Sequence, residues 1–141
     1  MKFNIAILVK YLCRKVFLIG VLLIVSNQIT LGQEFLINIE NAIRTGNAKK
    51  ICVYSDKYID LTFSENTNTY SKKQAEIIIQ KFFSKVEPKD FSKINKGISH
   101  TNNTIYYIGT LSTSNGTYQV YMFFLIRNAT YYLKELRFEK E

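Results

Sequence analysis

The chain has one histidine, two cysteines and one proline among its 141 residues, and no glycine-rich tract. Each scarcity excludes a class of function. His100 stands alone, and Cys13 and Cys52 are far apart, so no ligand set falls at the spacing a zinc site requires. No loop has the glycines needed to cradle a phosphate. The bases are spread along the chain with no arginine-rich block, whereas nucleic-acid binding calls for a clustered basic stripe. No repeat, linker or low-complexity tract divides the sequence, and its length suits one domain. No catalytic set, metal site or cofactor motif stands out, so the expectation is no catalytic residue, no metal and no cofactor.

What is present begins with an export signal. Lys2, Lys10, Arg14 and Lys15 precede ten unbroken apolar or small residues, Val16 to Val25. That run fits the hydrophobic region of a signal peptide and is too short to span a bilayer core of about 30 Å. Thr30 and Gly32 can serve as the small residues of a cleavage site before Gln33. Residues 1–32 are therefore expected to be a signal peptide and residues 33–141 a single mature domain, with an uncleaved anchor as the alternative. The expected workplace is the periplasm or outside the cell, with no membrane attachment after cleavage. The formal charge of +8 overstates the basicity of that domain, because four of the nineteen bases lie in the signal and none of the eleven acids does. The remaining net charge of +4 is a mild excess that aids solubility. Cys52 is then the one cysteine left. It sits in the apolar run Ile51-Cys52-Val53 and is expected in the core.

Helical spacing marks Phe35 to Thr45, with apolar residues at Phe35, Leu36, Ile39, Ala42 and Ile43 and a stop at Gly46. Asn47 can cap a short second helix from Ala48 to about Tyr54. Tyr58 to Phe63 alternates as a strand, and Ser64 to Thr69 reads as a polar turn. Ser71-Lys72-Lys73-Gln74 is a capping box. It opens a helix whose apolar face carries Ala75, Ile78, Ile79, Phe82 and Val86 and which Pro88 ends. Ile77 and Phe83 widen that face, which predicts cover on more than one side.

The remainder reads as antiparallel sheet: Phe91 to His100 with Phe91, Ile94 and Ile98 as apolar residues, then Ile105–Thr113, Tyr118–Arg127 and Tyr131–Glu139. Asn102, Asn115 and Asn128 each begin an N-x-T sequon, and are assigned to turn chemistry. A two-residue Asn115-Gly116 turn sets Leu111 beside Val120, Gly109 beside Met122, Tyr107 beside Phe124 and Ile105 beside Ile126, an apolar face to pack on helices. The other face pairs Ser112 with Gln119, Thr110 with Tyr121, Ile108 with Phe123 and Tyr106 with Leu125. It turns from polar to apolar away from the hairpin tip, whereas a one-sided sheet would stay polar. Tyr106, Ile108, Tyr121, Phe123 and Leu125 are thus candidates for a ligand site or interface.

After a two-residue turn at Asn128-Ala129, Leu133 faces the core. A β-bulge near Lys134-Glu135 would bring Leu136 and Phe138 to the same face and is the expected arrangement. Strict alternation would instead turn Glu135 and Arg137 inward as a buried pair resembling a ligand site.

The segments Ala42-Ile43-Arg44-Thr45-Gly46-Asn47-Ala48, Tyr58-Ile59-Asp60-Leu61-Thr62, Tyr70-Ser71-Lys72-Lys73-Gln74-Ala75-Glu76 and Gly109-Thr110-Leu111-Ser112-Thr113-Ser114-Asn115-Gly116-Thr117, with the ending Leu136-Arg137-Phe138-Glu139-Lys140-Glu141, resemble a family of exported bacterial domains of unknown function. The order of elements is similar to the nuclear transport factor 2-like cone. The resemblance covers residues 34–141 and implies an α+β fold with N-terminal helices packed on a curved antiparallel sheet. Members of that wider group enclose a pocket between sheet and helix; some are isomerases or dehydratases, and many are non-catalytic binding or dimerisation modules. An enzyme would need a carboxylate or a His–carboxylate pair inside the cone. His100 lies by the polar Thr101-Asn102-Asn103, Asp60 alternates with Ile59 and Leu61 and so faces away from the core, and Tyr107 and Tyr121 read as packing residues. The expected function is an exported non-enzymatic module that binds a small apolar ligand or a protein partner, with a homodimer formed through the second sheet face. The alternative is a small isomerase, dehydratase or hydrolase using Asp60 or Glu135 as a pocket carboxylate, with Arg137 beside it.

Overall fold

A computed structural model describes residues 14–15 and 31–141. The chain divides into two compact units, Met1–Glu34 and Phe35–Glu141. The expected export signal lies outside the described residues except at Arg14, Lys15, Leu31 and Gly32. Among the described residues no helix is long and apolar enough to cross a membrane.

Helix α1 (Leu31–Arg44) buries Phe35, Ile39, Ala42 and Ile43 at helical spacing. Gly46 adopts φ +63°, a conformation that costs glycine little, and the chain turns there into α2 (Ala48–Val53). Asn47 caps α2 by accepting from the Lys50 N–H at 3.0 Å. Strands β1 (Ser55–Phe63) and β2 (Asn66–Ser71) follow, then α3 (Lys72–Val86). Gln74 Oε1 accepts from both the backbone N–H (3.1 Å) and the hydroxyl (2.7 Å) of Ser71 at the start of α3. Glu87, at φ 54°, closes the helix with its N–H on Phe83 O. Strands β3 (Pro88–Ser99), β4 (Thr104–Thr113), β5 (Gly116–Arg127) and β6 (Thr130–Lys140) complete a six-stranded sheet in the order β2-β1-β6-β5-β4-β3.

The sheet is antiparallel except where β1 runs parallel to β6, a long-range pairing that joins the early β1–β2 hairpin to the last strand. The helices pack on one sheet face. Their side chains share a single core with Ile59, Leu61, Phe91, Leu111, Val120, Met122, Phe124, Leu133, Leu136 and Phe138. Cys52 lies in that core, as expected.

The expected bulge is present. Phe124 pairs with Leu133 and Phe123 with Glu135, so Lys134 is the extra residue. Leu133, Leu136 and Phe138 are all buried, and Glu135 and Arg137 face away from the helices. The reason is the one given by the sequence: the bulge buries three apolar side chains and leaves two charged ones in contact with water.

Three expectations are corrected. The stretch read as a polar turn, Ser64 to Thr69, holds the first four residues of strand β2, whose side chains there are polar at the sheet edge. Its hydroxyls are matched across the pair, Thr67 with Thr62 at 2.8 Å and Thr69 donating to Asp60. The β4–β5 register differs by two residues: Gly109 pairs with Val120 and Leu111 with Tyr118, so the tip is Ser114-Asn115. Only Gly116 there takes positive φ, +110°. The tip is bound to the end of α3, where Asn115 Nδ2 donates to Lys85 O (2.8 Å) and the Ser114 N–H to Val86 O (3.0 Å). Helix-terminal carbonyls that would lack partners are thereby satisfied. Because the shift is two residues and not one, every side chain keeps its face. Ile77 is not covered; it is 69% exposed on the outer side of α3. Ile98 is 50% exposed, and Ile94's side chain is outside the described set.

Candidate functional site

The sheet face opposite the helices carries the unusual chemistry. Tyr106, Ile108, Tyr121, Phe123 and Leu125 all lie on it and all are half-buried, though no described helix covers them. Tyr106 stands opposite Phe123, Ile108 opposite Tyr121, and Leu125 opposite Thr104 and Tyr132.

The flat groups on this face overlap in one direction, from β6 to β3. The Arg137 guanidinium lies 5.3 Å from the centroid of the Tyr121 ring. Tyr121 stacks on Tyr106 at 5.9 Å and 24°. Tyr106 in turn lies across Gly97, where an added Cβ would stand 2.2 Å from the ring. Glu135 accepts from Arg137 Nε and holds the guanidinium in place. Burial pushes the Tyr121 phenol up, and Glu135 adds to that rise while Arg137 opposes it. The stack therefore presents two aromatic rings and a paired guanidinium.

A second cluster borders the first. Arg127 pairs with Asp56 and sits 4.8 Å from the Tyr132 ring centroid, and Lys134 Nζ reaches the same carboxylate at 3.4 Å. The Lys57 N–H donates to Asp56, and this bond leads, with Arg127 and Lys134 contributing, in holding the carboxyl below its usual range. The sequence reading missed Gly97, Tyr132 and this cluster. Gly97 had a visible signal, since a glycine inside a strand marks close approach. The Asp56–Arg127 pair is 71 positions apart and had none.

Asp60, Glu135 and Arg137 do not enter the space between sheet and helices. Asp60 accepts from Thr69 at the sheet edge, and the other two pair with each other on the helix-free face. That interior space is filled by Ile39, Phe83, Phe124 and Phe138, each at most 2% exposed. Polar atoms reach it at its margins. Glu40 Oε1 is buried without a hydrogen bond, 3.5 Å from Lys93 Nζ. Burial, with smaller contributions from Tyr131 and Glu40, pushes the Tyr107 phenol up to about 12. Burial also raises the Cys52 thiol, opposed more weakly by the Ser55 hydroxyl. His100 is exposed in the turn after β3. Among the described residues no three His, Cys, Asp or Glu side chains gather as metal ligands.

Solved structures similar to this chain place the fold. A DUF4783 family protein from Bacteroides ovatus is 24% identical, with 74% of this chain and 93% of that one covered at a TM-score of 0.70. A DUF4783 family protein from Bacteroides uniformis is 25% identical, with 74% and 94% covered at 0.69. An NTF2-like protein of unknown function from Cytophaga hutchinsonii is 10% identical, with 82% and 94% covered at 0.55. The fold is thus the nuclear transport factor 2-like α+β cone, a curved open sheet packed against helices. No curated protein matches the chain. The family model described as domain of unknown function (DUF4783) matches residues 36–139, from within α1 into β6, and the chain belongs to that family.

Proposed function

We propose that this protein is an exported, non-enzymatic module that acts as a homodimer through the helix-free sheet face. The observation that carries the reading is the half-burial of Tyr106, Ile108, Tyr121, Phe123 and Leu125 on a face that no described helix covers. A row of apolar side chains on a sheet face without a covering layer marks an interaction site, since a solvated face alternates to polar residues. The partner is a second copy for two reasons. Six strands of about ten residues, spaced about 4.8 Å apart and rising about 3.3 Å per residue, give a face of roughly 800–900 Å², close to the per-partner area of a standard interface. The face also bears both signs of charge, Arg127, Lys134 and Arg137 alongside Asp56, Asp60 and Glu135, so it can meet its own copy around a two-fold axis. The enzyme alternative asks for Asp60 or Glu135 between sheet and helices, and both lie on the other face.

The same proposal includes export, with residues 1–32 removed and the domain working in the periplasm or outside the cell. N-terminal sequencing of the exported protein is expected to begin at Gln33, and a start at Met1 overturns that part. Sedimentation equilibrium of the purified protein is expected to give twice the chain mass. Phe123→Asp should shift it to monomer while leaving the circular dichroism spectrum unchanged. A monomer at about 100 μM, or a dimer indifferent to both Phe123→Asp and Ile108→Asp, overturns the dimer. A small apolar ligand co-purifying with a monomer would assign the face to that ligand instead.

A further inference from the structure

The helical side of the molecule holds a second feature that the dimer leaves unused. The turn at Gly46 folds α2 back beside α1, and between them lies a groove of about 340 Å³ lined by Asn38, Asn41, Thr45, Lys50, Val53 and Tyr54. That volume is within the range of small-molecule sites. We propose that this groove binds a carboxylate that carries a short branched apolar tail.

The polar wall comes from one side of α1, where Asn38, Asn41 and Thr45 fall at i, i+3 and i+7. Their hydrogen bonds decide what they offer. Asn41 Oδ1 accepts from Arg44 Nη1 at 2.9 Å, so the Asn41 amide presents its NH2 group as donor. The Thr45 hydroxyl donates to Asn41 O at 2.7 Å and turns its proton away from a ligand. Among the described residues Lys50 is the one charged side chain in the lining, and no acid lines it beside Lys50. A cation and an amide donor select an anionic acceptor, and a carboxylate has two oxygens to take both.

The opposite wall sets the tail. Val53 is 62% exposed although it is apolar and stands at the end of α2. The Lys72 ammonium anchors that end by donating to Val53 O at 3.0 Å, and the Tyr54 ring is held edge-on against Phe35 at 4.9 Å. Val53 and Tyr54 therefore form a fixed apolar surface next to the cation. A branched tail of three or four carbons covers Val53 when its carboxylate meets Lys50. Free short-chain acids and the C-terminus of a peptide ending in valine or leucine share this chemistry.

The test is an NMR titration of the purified, ¹⁵N-labelled protein with isovalerate, with isovaleramide, and with N-acetyl-glycyl-valine bearing a free C-terminus. The backbone amides of Asn41, Lys50 and Val53 are expected to shift saturably with a millimolar Kd for isovalerate. The peptide tightens that Kd if a chain terminus is the source and does not if the free acid is. The neutral amide should bind at least tenfold more weakly, as should isovalerate to Lys50→Gln, whose exposed position leaves the fold intact. No localised shift up to about 50 mM with either carboxylate, equal shifts with isovaleramide, or unchanged binding to Lys50→Gln overturns the proposal. Because these readouts are local to α1 and α2, they stand or fall independently of the oligomeric state.

Discussion

The ring of Tyr106 lies across Gly97 so closely that a methyl group at residue 97 would meet its Cε1 atom at 2.2 Å. The same relationship holds on the helix side, where Phe91 lies over Gly109 and an added Cβ would stand 2.3 Å from the ring. The two glycines differ in what can yield. At Gly97 the obstacle is the far end of a half-buried side chain. At Gly109 it includes the Ser92 carbonyl at 2.8 Å and a ring that is 1% exposed.

Gly97→Ala is therefore expected to cost about 1 kcal/mol, by displacing Tyr106 and breaking its stack on Tyr121, whereas Gly109→Ala should cost about 2–3 kcal/mol through overpacking. Urea unfolding of the two variants checks the order. Gly97→Ala should also weaken self-association, which Gly109→Ala should do only in proportion to unfolding.

Asp56 predicts a dependence on acid. Its carboxyl is held below the usual range by the Lys57 N–H and by Arg127 and Lys134. A carboxyl lowered on folding contributes stability that is present above its unfolded pKa, about 3.9, and is lost as pH falls through the folded value. The melting temperature should drop below about pH 4 in the wild type. Asp56→Asn should melt lower at pH 7 and show a shallower acid drop.

Tyr107 predicts the opposite limb. Its phenol is raised to about 12, so folding favours the protonated form. The stability this contributes is complete below the unfolded pKa of about 10 and is lost as pH rises toward 12. In a spectrophotometric titration of residues 33–141 at 295 nm a single tyrosine should ionise after the others. Tyr107→Phe should remove that step and lessen the loss of stability between pH 10 and 12.

Cys52 is buried with a raised thiol pKa, which leaves little thiolate and little access for a reagent. Native protein should resist a disulfide-exchange reagent at pH 8 for hours, and the thiol should react within minutes in denaturant. Fast labelling of the native protein at a rate independent of its stability would contradict the buried placement.

Some of these features were set by the chain alone. The capping residues Asn47 and Ser71 act within a few positions, so their helices start where the local chemistry puts them. The strand faces follow from alternation, and the bulge at Lys134 follows from the spacing of Leu133, Leu136 and Phe138 against Glu135 and Arg137. The five candidate face residues were legible for the same reason, since period-two alternation assigns a side without reference to any partner. Other features depended on groups that only the fold brings near. The docking of Ser114 and Asn115 on the carbonyls that end α3 moved the β4–β5 register by two residues. A polar edge such as β2 carries no apolar period to reveal it, and it forms because β1 offers a free side to pair with. The pairing of β1 with β6, the Asp56–Arg127 contact, the approach of Glu40 to Lys93 and the groove between α1 and α2 join positions that local chemistry does not couple. Local hydrogen bonding and periodicity act over a few residues and are written in the order of the side chains, whereas docking, register and clefts are decided by which distant surfaces meet when the core closes.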